Sequence, residues 1–151
     1  VSAEELRTGS VIRLAKVGDD FPSDSHHPRP GHFVPSTPER EIEDRTGILL
    51  ISVFDRSRTT VAQARQIRRA EGEFAAFELD VIKICSIEIP ESNPLRSLRV
   101  VRDPIEPELA AMPGANGHCG IEGLGKKPCP VKSNRKKLRS KLCDIAVRLP
   151  D

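Results

Sequence analysis

The sequence has no tryptophan and no tyrosine; five phenylalanines make up its whole 3% aromatic content. Ile, Leu and Val must therefore build the core. Five rings also leave little for the base-stacking platforms that single-stranded nucleic acids use. No run approaches the roughly 18 apolar residues of a membrane span, which predicts no membrane partner. The start, Val1-Ser2-Ala3-Glu4-Glu5, lacks a charged n-region and an apolar h-region, so no signal peptide is expected. Four cysteines without an export signal favour free thiols in a reducing cytoplasm over a disulfide framework.

Known catalytic signatures are missing too. "GIEGLGKK" (120–127) has the wrong spacing for a phosphate loop and no Ser or Thr after its lysines. No G-x-S-x-G elbow occurs. No C-x2-C pair suggests structural zinc, because His118 and Cys119 are adjacent and point apart on a strand. Neither metal nor cofactor is expected.

What is present is an uneven distribution of charge. The net charge is only +2, yet Lys126 to Lys141 carries eight basic residues and no acid, while Glu39 to Asp44 holds four acids against one base. A chain of 151 residues suits one core-bearing domain, taken as 1–151.

The patterning predicts an opening helical turn at Ser2–Leu6, then a strand at "SVIRLAKV" (10–17). A loop-like stretch over 18–46 follows, with five prolines and three histidines; such loops are commonly functional or mobile. "TGILLISVF" (46–54) reads as a buried strand. A helix capped by Thr59 or Thr60 comes next, with Val61, Ala64 and Ile67 on one face and Gly72 as its stop. "FAAFELDVIKICSIEIP" (74–90) reads as one alternating strand that places Cys85 inward. Short strands are expected at 97–104 and at "HCGIEGL" (118–124), where Gly117 and Gly120 relieve crowding. The closing helix (133–150) has a stripe of Leu138, Leu142, Ile145, Ala146 and Leu149, with Cys143 beside it. The expected class is α+β, a small mixed or antiparallel sheet with two main helices and a long loop.

Candidate sites follow from residue type. His26, His27 and His32 lie in the proline-rich loop, where a histidine can act as acid or base near neutral pH. Ser36 and Thr37 precede Glu39 and Glu41; the spacing Ser36-x-x-Glu39 with Pro38 favours a helix start over a substrate-facing turn. Arg13, His32, Ser36, Glu39 and His118 supply the residue types of a small nucleotide-using transferase of the ADP-ribosyl-transfer kind. Lys126, Lys127, Lys132, Arg135, Lys136, Lys137 and Arg139 can dock an acidic protein or the phosphates of nucleic acid.

The stretches "FVPSTPERE", "LLISVFDRSRTTVAQA", "FELDVIKI", "VVRDP", "GHCGIEGL" and "RKKLRSKLCDIA" together resemble a pattern shared by small uncharacterised bacterial proteins. That pattern has an F-x-P segment, a Thr-led helix, and a closing H-x-x-I strand with a basic helix. The resemblance spans most of the chain and implies a compact bacterial accessory domain. The His-rich loop and the second cysteine depart from it. The favoured expectation is therefore a non-enzymatic, cytoplasmic accessory or binding protein, working beside a partner in a bacterial defence or toxin-related system. The small transferase is its alternative.

Overall fold

Among the described residues seven strands form one sheet, and every neighbouring pair in it is antiparallel. A computed structural model describes residues 4–16, 33, 35–68 and 74–150. The strands are β1 (Glu5–Leu6), β2 (Ser10–Lys16), β3 (Leu50–Asp55), β4 (Phe74–Asp80), β5 (Arg99–Arg102), β6 (His118–Glu122) and β7 (Val147–Arg148). The helices are α1 (Thr37–Thr46), α2 (Val61–Ile67), α3 (Val81–Cys85) and α4 (Lys132–Ile145). Across the sheet the order is β1-β5-β6-β3-β2-β4-β7, which puts β3 in the middle.

Alternation along the strands divides the core between two faces. On one, Val11, Ile51, Val53, Leu79, Val100, Cys119 and Ile121 pack with Val81 and Ile84 of α3 and with Leu138 and Leu142 of α4. On the other, Phe54 packs with Ala64 and Ile67 of α2 and with Ala115, and Ile12 packs with Ala76 and Leu149. The α+β class is as the patterning predicts, and the sheet is wholly antiparallel. The described residues form four α-helices, two of them short, where two main helices were expected.

Other differences have local causes. Glu5 and Leu6 pair with Val101 and Val100 as an edge strand, so no helical turn forms there. The 74–90 run is not one strand: Asp80 accepts from the Ile82 N–H and caps α3. This cap moves Cys85 off the sheet to the end of a helix, where it is half-buried. Residues 37–46 of the presumed loop are α1, opened by the capping box of Ser36 and Glu39. Thr60, not Thr59, caps α2, with Gln63 completing a second capping box. Gly72 lies outside the described residues, and α2 ends at Ile67. The closing helix stops at Ile145; Arg148 and Val147 then pair with Phe77 and Glu78, and Leu149 donates its N–H to Ala76. Leu149 thus belongs to the opposite face of the sheet from Leu138.

Gly117 and Gly120 do relieve crowding. A β-carbon on Gly117 would run into the Thr59 side chain, and one on Gly120 would lie 2.7 Å from Cβ of Leu50.

Candidate functional site

The middle strand carries one polar residue inside its apolar run, Ser52. The β2–β3 register ends at Ile12 opposite Phe54, and beyond it the backbone of Ser52 bonds to side chains. Its N–H donates to Oε2 of Glu39 at 2.6 Å, and its carbonyl accepts from Nη1 of Arg13 at 2.9 Å. Arg13 and Glu39 also pair with each other at 3.2 Å, with about a tenth of each side chain exposed. The second carboxylate oxygen of Glu39 accepts the Ser36 N–H at 2.8 Å. Burial pushes the Glu39 carboxyl upward, but the Arg13 charge and the Ser36 and Ser52 N–H groups outweigh it and hold it below the usual value. Without this brace, two backbone groups of a central strand would have no partner.

The side chain of Ser52 faces the other side of the sheet. Its Oγ lies 2.7 Å from Nε2 of His118, and Nη2 of Arg68 lies 2.8 Å from that Oγ and 2.7 Å from the same Nε2. Nδ1 of His118 is 2.8 Å from the carbonyl oxygen of Asp103. A carbonyl only accepts, so this bond assigns the proton to Nδ1 and leaves the Nε2 lone pair for Ser52 and Arg68. His118 is 6% exposed. Burial, joined by the Arg68 charge, keeps its imidazole below the ordinary histidine value despite the Asp103 bond and the Asp103 and Glu106 charges. Arg68 caps the end of α2, lies over the Phe54 ring at 5.7 Å and pairs with Glu106 at 3.4 Å. A cleft of about 300 Å³ adjoins it, lined by Ile67, Arg68, Glu106, Glu108 and Leu109.

A neutral imidazole acceptor beside a serine hydroxyl has the geometry of a general-base pair. Here Arg68 donates into the same triangle and engages both members.

Four of the five candidate catalytic residues thus surround Ser52, on two sides of the sheet. Arg13 and Glu39 brace its backbone, Ser36 donates its N–H to Glu39, and His118 holds its hydroxyl. His32 lies outside the described residues, as do His26 and His27. His118 and Cys119 point to opposite faces: Cys119 is fully buried in the core with Cys129. Desolvation pushes the Cys119 thiol up to about 11. Among the described residues no three His, Cys, Asp or Glu side chains gather as a metal site.

On α4, Asn134, Leu138 and Leu142 face inward, and Lys132, Lys136, Lys137 and Lys141 are exposed, as are Lys126 and Lys127 in the preceding loop. None of these lysines forms an ion pair among the described residues. The acidic segment meets this region through Glu43, which accepts the Lys126 backbone N–H at 3.0 Å and not its ammonium. Arg135 and Arg139 are half-buried. Nη1 of Arg135 donates to the Cys129 and Pro130 carbonyls at 2.9 and 2.8 Å. Nε of Arg139 is buried and has no hydrogen-bond partner among the described residues. Desolvation, together with the charges of Arg135 and Arg40, holds the Arg139 guanidinium below the usual arginine value.

Comparison with protein-family models, with curated proteins and with solved structures finds no significant match to this chain. Among the described residues, no helix is long and apolar enough to cross a membrane.

Residue-type reasoning missed Ser52, Arg68 and Asp103. Ser52 carried a signal, as the one polar residue within Ile48–Phe54. Arg68 carried none, because it is one of several arginines in a basic stretch.

Proposed function

We propose that the protein is a binding or accessory module that docks an anionic macromolecule, acidic protein or nucleic acid, through its basic C-terminal face. The observation that carries this reading is the outward row of Lys126, Lys127, Lys132, Lys136, Lys137 and Lys141, none of them ion-paired among the described residues. A helix that merely covered a core would need only its inward stripe. Such a helix usually mixes charges on its outer side, whereas the first acid on α4 is Asp144. At 14 residues and about 1.5 Å per residue, α4 presents a strip about 21 Å long.

The test is a titration of labelled anionic polymers, a DNA duplex and poly-glutamate, at about 50 and 200 mM salt. Binding that weakens steeply with salt and is lost in K132E/K136E/K137E supports the reading. Absence of binding at low salt, or unchanged binding by the variant, overturns it.

A second reading, the small transferase, draws on the Ser52–His118 pair. Arg13 and Glu39 are committed to each other and to the Ser52 backbone, so Ser52, His118 and Arg68 would have to carry any chemistry. Covalent capture of Ser52 by a fluorophosphonate probe, abolished in H118A, supports that reading. An unlabelled Ser52 removes it.

A further inference from the structure

Ser52, His118 and Arg68 come from three elements and meet on the α2 side of the sheet, where each bond among them has a direction. Ser52 is half-buried, and its Oγ lies 2.7 Å from Nε2 of His118. Because the Asp103 carbonyl takes the Nδ1 proton of His118, Nε2 presents a lone pair to the serine hydroxyl. Burial, joined by the Arg68 charge, keeps this imidazole neutral near pH 7. A carboxylate oxygen of Asp103 lies 3.7 Å from Nδ1, close enough to favour the imidazolium that forms when Nε2 takes up a proton. These are the parts of an activated nucleophile: hydroxyl, base and a third group that orients the base.

Arg68 adds the fourth part. Its Nη2 is 2.8 Å from Oγ of Ser52 and 2.7 Å from Nε2 of His118, so at rest it donates to both. Once Nε2 is protonated it no longer accepts, and one N–H of Arg68 is released beside the atom bonded to the new oxyanion. A donor freed at that moment stabilises the transition state more than the ground state. The carboxylates of Asp103 and Glu106 offset the repulsion between imidazolium and guanidinium. The same arginine lines a cleft of about 300 Å³ together with Ile67, Leu109, Glu106 and Glu108, so one guanidinium touches both the reactive pair and the cleft. Ile67 and Leu109 give that cleft apolar wall, and its two glutamates disfavour an anion.

We propose that Ser52, His118 and Arg68 hydrolyse a small carboxylic ester with a short, uncharged acyl chain, Ser52 acting as nucleophile, His118 as base and Arg68 as donor to the oxyanion. Oγ of Ser52 adds to the ester carbonyl carbon while its proton passes to Nε2. The ester C–O bond then breaks, and the leaving oxygen takes that proton and departs as the alcohol. Water attacks the acyl-serine by the same route, releasing the carboxylic acid and restoring the Ser52 hydroxyl. A cleft of this volume suits a small molecule and not a polypeptide, and Glu106 and Glu108 oppose phosphoryl substrates. The inference rests on the second reading for its reactive pair alone and replaces the nucleotide of that reading by an ester. Leu138 and Leu142 of α4 pack on the opposite face of the sheet from Phe54 and α2, so docking through α4 stands or falls separately.

The test is turnover of p-nitrophenyl butyrate by the full chain, with the acyl adduct mapped by peptide mass spectrometry and a fluorophosphonate probe run in parallel. The native chain is expected to turn the ester over and to carry butyryl on Ser52 when quenched early; this mapping needs no variant to fold. S52A abolishes turnover, and H118Q lowers kcat at least about 100-fold. R68M lowers kcat about 100-fold and leaves KM within about twofold, the mark of a contact made in the transition state. R68K recovers part of that loss, which a purely structural role for the arginine would not predict under equal Tm. Butyryl found on a lysine or cysteine instead of Ser52, or turnover unchanged in S52A, overturns the proposal. An unchanged kcat in R68M overturns the role given to Arg68. Faster turnover of the anionic p-nitrophenyl succinate monoester overturns the uncharged substrate class. If the fluorophosphonate labels Ser52 but no ester is turned over, the ester proposal falls and the second reading stands. If Ser52 takes neither label, both fall.

Discussion

Oγ of Ser52 and Nε2 of His118 meet at 2.7 Å across 66 residues of chain, with the backbone of the same serine braced from the other side of the sheet by Arg13 and Glu39. The contact exists because β3 and β6 pair with Phe54 opposite His118 and Ser52 opposite Gly120. Gly120, lacking a side chain, leaves the space beside Ser52 open. One serine in an apolar strand thus joins two polar networks that share no side chain.

The His118 network makes stability depend on pH with a definite sign. The folded-state value of His118 lies below its ordinary 6.5, so the unfolded chain takes up the proton first as pH falls. Its contribution is fully present above about 6.5 and is lost as pH drops from there toward the folded-state value. Burial raises Asp103, which works the opposite way. The difference between native and H118Q unfolding curves over pH 4–8 isolates the histidine, and H118Q is expected to flatten the fall below 6.5. Parallel curves would show that His118 is not held neutral.

The Arg13–Glu39 brace should be strongly non-additive. Breaking this buried pair from either side, as in E39Q or R13M, is expected to cost about 3–5 kcal/mol. The double variant R13M/E39Q should cost less than the sum of the two, because the second change finds the pair already broken. Urea unfolding of the four chains measures the coupling.

Glu39 also ties acid stability to this pair. Its folded-state value is lowered, so its contribution is present above the ordinary carboxylate range and disappears as pH falls through the depressed value. The native chain should lose stability more steeply on acidification below about pH 4.5 than E39Q does. Urea midpoints at stepped acid pH check this.

Gly120 is required for size, not for backbone conformation. G120A places a methyl 2.7 Å from Cβ of Leu50 on the central pair of strands and is expected to destabilise by about 1–3 kcal/mol. The double variant G120A/L50G, which takes away that Cβ, should cost less than the sum of its two single variants if the clash is with Leu50. Thermal melts of the single and double variants decide.

The cysteines should differ in reactivity. Cys119 and Cys129 are fully buried, and desolvation pushes the Cys119 and Cys143 thiols up to about 11. Iodoacetamide at about pH 8 should therefore leave Cys119 and Cys129 unmodified in the native chain, and all four should alkylate in denaturant. Peptide mass spectrometry reads the sites. Native modification of Cys119 would contradict its burial.

The sequence by itself determined what depends on neighbours in the chain. Period-two alternation marked β4, the apolar run marked β3, and Ser36-x-x-Glu39 marked a helix start by hydrogen bonds that close within four residues. The basic outer face of α4 was legible for the same reason: helical spacing puts Lys132, Lys136 and Leu138, Leu142 on different sides without help from the rest of the fold. Only the tertiary structure decided where the long-range partners fall. Asp80 ended a strand that alternation alone would have continued, and pairing with β4 drew Val147 and Arg148 out of the helical stripe. Arg13 and Glu39 became a brace because β2 and β3 part beyond Phe54, a gap set by strand register that no spacing within one segment encodes. Ser52, Arg68 and His118 come from β3, the end of α2 and β6, and converge only once the sheet has formed and α2 lies across it.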